Sequence, residues 1–206
     1  MKHLRLLPIL VFAVTLTACG DDPASSNASD PVVASRVTDL PSDPFVAFVE
    51  GRPVGAGVYT FYSLREDRIV AREDSATTQW DVAFKGSTIL VNGGVSGPGQ
   101  GEGQILETTF ANVTEAPATG YTTDAVNGPA LGTGSGQSWY SYNPATQVLA
   151  PTPGRVLVVK TADGRYAKLN MISYYQGAPA EPSAASTARY LTFDFVFQPD
   201  GTRSFE

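Results

Sequence analysis

Glycine and proline recur along the whole length of this chain, and they constrain its fold more than any other feature of the sequence. The 206 residues include 20 Gly and 15 Pro. Because both residue types weaken or end helices, a fold built from long helices is excluded. Hydrophobic residues make up 42% of the chain, so it can still bury a core and is not expected to be disordered. The fold must therefore consist of short elements joined by turns.

Between the turns, apolar residues alternate with polar ones in the way that is typical of antiparallel strands. The clearest case is a hairpin in which residues 156–161 and 166–175 flank the turn around Asp163 and Gly164. An Asp-Gly pair between two such runs is a strong hairpin signal. The chain is thus predicted to be mostly β, a single antiparallel β domain with long loops. Further strands are predicted at residues 58–64, 69–71, 79–84, 88–91 and 190–197.

The longest irregular stretch covers residues 92–136, with a glycine-rich run at 97–103. Residues 105–110 inside it are predicted to form a strand or one helical turn. Because long loops in a compact domain are often functional, this stretch is a candidate binding surface and part of the expected ligand cleft.

The N-terminal end has the pattern of a bacterial lipoprotein. Residues 1–18 combine a basic start with a short apolar run, which is typical of a signal peptide and too short for a stable transmembrane helix. The sequence Leu16-Thr17-Ala18-Cys19 resembles a lipobox, which implies cleavage before Cys19 and lipid attachment to its thiol. Residues 19–44 are predicted to be a flexible tether, and 45–206 the β domain.

The expected location is the outer membrane, to which the lipid on Cys19 would anchor the protein. Asp21 and Asp22 directly follow the lipidated residue and its glycine neighbour. An acidic cluster there resembles the surface-export signal of Bacteroidota lipoproteins, so the pair favours exposure at the cell surface.

Processing also restricts the chemistry of the mature chain. His3 is the only histidine and would be removed, while Cys19, the only cysteine, would be lipidated. This excludes serine–histidine triads, cysteine–histidine dyads and zinc sites based on His or Cys, and no enzyme is predicted. With Lys2 and Arg5 removed, 12 Lys and Arg remain against 20 Asp and Glu, a net charge of −8. A nucleic-acid partner is therefore not expected.

Six segments of the chain form a recognisable series: residues 80–84, 92–97, 139–142, 161–168, 172–175 and 197–201. In sequence and order they resemble the HmuY-like haem-binding lipoproteins of Bacteroidota. The resemblance extends over about residues 58–205 and implies a mostly β fold whose loops clasp one haem. It also implies a hemophore role, in which haem is taken from other haemoproteins and passed to a TonB-dependent outer-membrane receptor.

The chain departs from this family in its iron ligands. The best-known members hold the iron between two histidines and others use methionine, whereas the mature chain has no histidine. The remaining candidates are Tyr121, Met171, Tyr140 and Tyr142, since a phenolate can hold haem iron. Tyr121, away from strong strand signals, is preferred. Met171 shares a strand face with Leu169, so the alternative interpretation is that it is a core residue. For Tyr140 and Tyr142 the alternative is that both belong to a packed aromatic corner.

Two hypotheses follow from the sequence. In the first, the protein binds haem or a related tetrapyrrole and delivers it to a receptor. In the second, the scaffold has lost haem ligation, and the surface lipoprotein binds another ligand, protein or glycan.

Overall fold

The structure is a computed structural model that describes residues 30–50 and 52–206. It is mostly antiparallel β, as the sequence predicts, with two single 3-10 turns at Arg72–Asp74 and Phe110–Asn112. The strands are, in chain order, β1 (Val33–Pro41), β2 (Phe45–Val49), β3 (Arg52–Gly55), β4 (Thr60–Ser63), β5 (Arg68–Val70), β6 (Val82–Lys85), β7 (Thr88–Val91), β8 (Glu102–Glu107), β9 (Tyr140–Asn143), β10 (Val148–Pro151), β11 (Arg155–Lys160), β12 (Tyr166–Tyr175) and β13 (Ala188–Gln198).

The strands form two larger sheets and two separate hairpins. One sheet has five strands in the order β1-β13-β12-β11-β8, and the other has four in the order β5-β4-β6-β7. The hairpins are β2–β3 and β9–β10. Neighbouring strands are antiparallel throughout. The predicted hairpin at Asp163 and Gly164 is the β11–β12 connection, where Gly164 has a φ of 83° that favours glycine.

The main core lies between the two larger sheets. Alternate residues of β12 and β13 point inward, which places Leu169, Phe193 and Phe195 against residues of β6 and β7. The rings of Phe84 on one sheet and Phe193 on the other lie 5.4 Å apart. Burial of these large side chains between the sheets is the main stabilising contribution to the fold.

The outer face of the five-stranded sheet carries a second, smaller core. Val156 and Val158 of β11 pack there against Val113 and Phe205 from the irregular segments that cross this face. Lys168 also points to this side and donates hydrogen bonds to the carbonyl oxygens of residues 110 and 113, at 3.0 and 2.8 Å. The middle strands of this sheet are thus buried on both faces.

The predicted tether over residues 19–44 is wrong at its C-terminal end. Residues 33–41 form β1, which pairs with β13 at the edge of the five-stranded sheet. Val37 and Leu40 of this strand are buried in the main core, and this tertiary contact outweighs the polar composition of the segment. Residues 1–29 lie outside the described residues, and with them the predicted signal peptide and Cys19. Within the described part of the chain, no helix is long and apolar enough to span a membrane.

Candidate ligand-binding site

A cleft of about 760 Å³ opens at one end of the molecule. Its walls are the β2–β3 hairpin, the β9–β10 hairpin and the connection between β12 and β13. The volume falls within the ~300–1,000 Å³ that is common for small-molecule sites. The lining is rich in aromatic rings and is completed by small hydroxyl residues of the connection. The main lining residues are Phe45, Phe48, Tyr142, Leu149, Tyr174, Tyr175, Ser183, Ser186, Thr187 and Arg189.

The β9–β10 wall is fixed to the rest of the fold by hydrogen bonds. The backbone N–H of Leu149 donates to the hydroxyl of Tyr175 on β12, at 2.9 Å. The indole N–H of Trp139, just before β9, donates to the carbonyl oxygen of Ser87 at 2.8 Å. Because these bonds join the hairpin to both larger sheets, this wall is held rigidly in place.

A second wall of the cleft, the β2–β3 hairpin, carries exposed apolar side chains. The rings of Phe45 and Phe48 lie 5.0 Å apart, and Phe48 is 70% exposed. Aromatic side chains at this level of exposure are unusual in a soluble domain unless they contact a ligand or a partner. The hairpin therefore offers two rings that a flat apolar ligand could cover.

Among the four residues predicted as iron ligands, Tyr142 is the one that lines the cleft. It lies on β9 and is 46% exposed. The packed aromatic corner predicted for this motif accounts for Tyr140, whose ring lies edge-on to Trp139 at 5.3 Å and packs on the main core. Tyr142 does not share this burial, so its side chain is accessible to a ligand.

Tyr121 lies at a different place in the fold. It packs on the second core, with its ring 6.1 Å from that of Tyr166 and 4.9 Å from the ammonium of Lys160. Burial raises the pKa of its hydroxyl to about 12. Because an iron-bound tyrosine has to lose its proton, the burial of Tyr121 and its raised pKa both disfavour Tyr121 as a ligand.

Met171 is part of the main core. It is 5% exposed, and its neighbour across the sheet is Phe193 on β13. This position agrees with the alternative expectation that Met171 fills space in the core.

The glycine-rich loop after β7 is tightly packed. The Asn92 side chain is buried; it donates to the carbonyl oxygens of Thr77 and Trp80, at 2.9 and 2.8 Å, and accepts from the N–H of Gly99 at 3.0 Å. A Cβ atom on Gly94 would lie 1.9 Å from a backbone oxygen. The glycines are thus required by close backbone contacts. Residues 94–98 also line a separate, more open groove on the outer face of the four-stranded sheet.

Sequence reasoning missed most residues of the cleft. Phe45 and Phe48 stand in an apolar run that reads as an ordinary core strand, and Tyr174 and Tyr175 end a predicted strand. Residues 45–49 are an apolar run with two phenylalanines in which no polar residue alternates, and this departure from the other strands could have indicated an exposed hairpin. Nothing in the sequence alone brings it next to Tyr142.

Comparisons with known proteins place these observations in context. A model of the family described as HmuY protein matches residues 57–195. The chain is similar in structure to the apo HmuY analog of Tannerella forsythia, with 17% sequence identity, a TM-score of 0.56 and coverage of 84% of this chain and 100% of that one. It is also similar to a Bacteroides fragilis protein named as a candidate lipoprotein, at 16% identity and a TM-score of 0.50. That match covers 82% of this chain and 90% of the other. No curated protein matches the chain. These two structural similarities establish a shared fold.

Proposed function

The chain belongs to the HmuY family, and on this premise we propose that it is a haem-binding lipoprotein of the cell envelope. It takes haem, or a closely related tetrapyrrole, into the cleft between the β2–β3 and β9–β10 hairpins. The protein then passes the haem to an outer-membrane receptor. Its role is binding and transfer of the ligand, and no chemical conversion is part of the proposal.

The aromatic lining of the cleft is the observation that carries this proposal. The rings of Phe45 and Phe48 lie on one wall, and those of Tyr142 and Tyr174 belong to the same lining. A flat macrocycle buries large apolar faces against such rings, and this burial supplies most of the binding free energy. The cleft volume of about 760 Å³ also suits a ligand of this size.

Tyr142 is the residue that we assign as the iron ligand. It lines the cleft, and its side chain is exposed in the free protein. Among the described residues, no hydrogen bond to its hydroxyl is formed, so that oxygen is available. A phenolate on one side of the iron would replace the histidine or methionine ligands of other family members.

A haemin titration of the purified protein tests the proposal. Saturation at one haemin per chain, with a shifted Soret band, is expected. Tyr142→Phe should change the visible spectrum of the ferric complex, whereas Tyr121→Phe, the matched control on the second core, should leave it unchanged. No Soret shift beyond that given by an unrelated acidic protein would contradict haem binding. An unchanged spectrum for Tyr142→Phe would contradict the ligand assignment alone.

The envelope location is proposed from the N-terminal sequence together with the family. Cleavage before Cys19 and acylation of its thiol would anchor the protein in the outer membrane. With the strand β1 starting at Val33, about 14 residues would link the lipid to the domain, and an extended chain of that length spans ~46 Å. The cleft could therefore approach a neighbouring receptor in the same membrane.

The exposed hairpin supports a second candidate function, contact with another protein. Val46, beside the cleft-lining phenylalanines, is 61% exposed, and Val49 is exposed as well. Clusters of exposed apolar side chains mark sites of protein contact. If haemin does not bind, this hairpin is where a protein partner of the same scaffold should be sought, by crosslinking from residue 46 in intact cells.

A further inference from the structure

A polar pocket of about 410 Å³ adjoins the apolar cleft. Two residues, Tyr174 and Arg189, line both cavities, so the two spaces meet at these side chains. The pocket is bounded by the turn between β6 and β7 and by the end of β3 together with Gly57 just after it. Its charged side chains are those of Asp43, Lys85 and Arg189. A ligand in the cleft would thus have a charged pocket next to one edge.

The junction between the two cavities is built around Arg189. This residue has a φ of 69°, a left-handed conformation that is costly for arginine. Its guanidinium donates to the backbone oxygen of Asp43 at 3.0 Å and to the Asp43 carboxylate at 3.1 Å. The surrounding contacts hold the side chain at the point where the apolar cleft becomes polar.

The negative charge of Asp43 is already neutralised within the protein. In addition to Arg189, the Asp43 carboxylate accepts hydrogen bonds from the N–H groups of Gly57 and Val58, at 2.8 and 3.2 Å. Its side chain is buried. The charges of Asp43 and Arg189 therefore cancel, and the charge that remains in the pocket is the positive charge of Lys85.

Among residues 30–50 and 52–206, Lys85 forms no ion pair with an acidic side chain. Its ammonium lies 4.4 Å from the centre of the Tyr59 ring, and within the described part of the chain no carboxylate lies within ion-pair distance. The Tyr59 ring is half-buried, and its attraction for the ammonium is modest. An acidic group entering the pocket could thus attract this ammonium with little competition.

We propose that this pocket binds the carboxylate of an amphiphilic ligand whose flat apolar part occupies the cleft. This assignment rests on the proposed function. It adds the orientation of the ligand in the cleft and the chemical class of ligand that the site selects. The ligand is an apolar ring system that carries at least one carboxylate, and Lys85 supplies the charge that recognises it. Haem has this character because its two propionates stand on one edge of the macrocycle.

The test compares haemin with haemin dimethyl ester, which has the same ring and iron but no carboxylates. The wild type should bind haemin more tightly than the ester. Lys85→Gln should weaken haemin binding by about fivefold and leave ester binding unchanged, as expected for one partly exposed ion pair. Lys85→Arg, which keeps the charge, should restore most of the affinity for haemin.

Lys160→Gln is the matched control, because Lys160 also lies over a tyrosine ring, at 4.9 Å from that of Tyr121, and does not line either cavity. It should leave both affinities unchanged. Two results would overturn the assignment without contradicting haem binding. One is equal affinity of the wild type for haemin and for the ester, and the other is an equal loss of haemin affinity in Lys85→Gln and Lys160→Gln. Absence of saturable haemin binding would instead contradict the proposed function, and this assignment with it.

Discussion

The carboxylate of Asp81, in the four-stranded part of the fold, accepts a hydrogen bond from the backbone N–H of Ala162 in the β11–β12 turn, at 3.0 Å. Its other oxygen accepts from the N–H of Leu64 at 2.8 Å. Asp81 is fully buried, so one side chain joins the two larger sheets from the inside. Asp81 and Ala162 each lie in a segment on which the family resemblance depends, so those two segments help to maintain the fold.

Replacement of Asp81 by Asn should destabilise the protein. The amide keeps one acceptor oxygen and places an N–H group against a backbone donor, which leaves that donor without a partner. A buried, unpaired donor costs about 1–3 kcal/mol, so the free energy of unfolding should fall by that amount in urea denaturation. Asp194→Asn is the control, since Asp194 pairs with the exposed Arg36 and its replacement should lower the free energy of unfolding much less. Equal losses in the two variants would contradict the structural role of Asp81.

The difference in the free energy of unfolding between the wild type and Asp81→Asn should also depend on pH. Burial raises the pKa of Asp81 above its ordinary value of 3.8, against the lowering effect of its backbone hydrogen bonds. The folded protein therefore holds this proton more tightly than the unfolded chain does. The contribution of Asp81 to stability is greatest below pH 3.8 and falls as the pH rises through the interval up to the folded-state pKa.

Urea denaturation of the wild type and Asp81→Asn at a series of pH values between ~3 and ~8 measures this effect. Because the asparagine does not titrate, the excess stability of the wild type over the variant should decrease as the pH increases. An excess that grows with pH would show that the hydrogen bonds outweigh burial and that the pKa of Asp81 is lowered.

Local signals were sufficient to predict much of the fold. The β11–β12 hairpin follows from a turn, at Asp163 and Gly164, that lies between its own strands in sequence. The strand β1 was missed because it is stabilised by pairing with β13. Val37 is the pairing partner of Phe193, although most of the chain lies between the two residues in sequence. Such long-range pairing leaves little trace in the composition of the strand itself.

The candidate site was harder to predict, since its residues come from four separate segments. Tyr142 was among the predicted ligands, but its advantage over Tyr121 depends on the folded chain, in which Tyr142 lines the cleft and Tyr121 packs on the second core. Phe48 carries no signal of function in the sequence. Its exposure and its place in the same cleft as Tyr142 become visible only in the tertiary structure.

The packing of the glycine loop can be tested with two matched substitutions. Gly94 has a φ of 60°, and an added Cβ would also collide with the backbone oxygen of Asp124. Gly134 has a φ of 98° with open space around it. Gly134→Ala should cost ~1–2 kcal/mol of stability for the left-handed backbone alone. Gly94→Ala should cost a further ~1–3 kcal/mol in thermal or urea unfolding, because the collision adds to this strain. Equal costs would show that the loop moves to accommodate the methyl group.

Lipidation of Cys19 is a prediction from the sequence alone. Cys19→Ala should abolish acylation and release the protein from the membrane, because no other residue can carry the lipid. Mass spectrometry of the mature wild type should show the added acyl mass, and cell fractionation should move the variant to the soluble fraction. Ser25→Ala, a change in the same N-terminal segment, should affect neither readout. Continued membrane association of a non-acylated variant would contradict the anchor.

Phe48 should contribute to ligand binding without contributing to stability. It is largely exposed in the free protein, so Phe48→Ser should change the free energy of unfolding by less than ~0.5 kcal/mol. In the complex, the ring would be covered by the ligand, and the loss of ~1.5 kcal/mol or more of apolar burial corresponds to at least ~10-fold weaker haemin binding. Ile69→Ser is the control, since Ile69 is an exposed apolar residue of β5 that does not line the cleft. A haemin titration in which both variants bind as tightly as the wild type would show that the macrocycle does not contact this hairpin, and the cleft assignment would then be wrong.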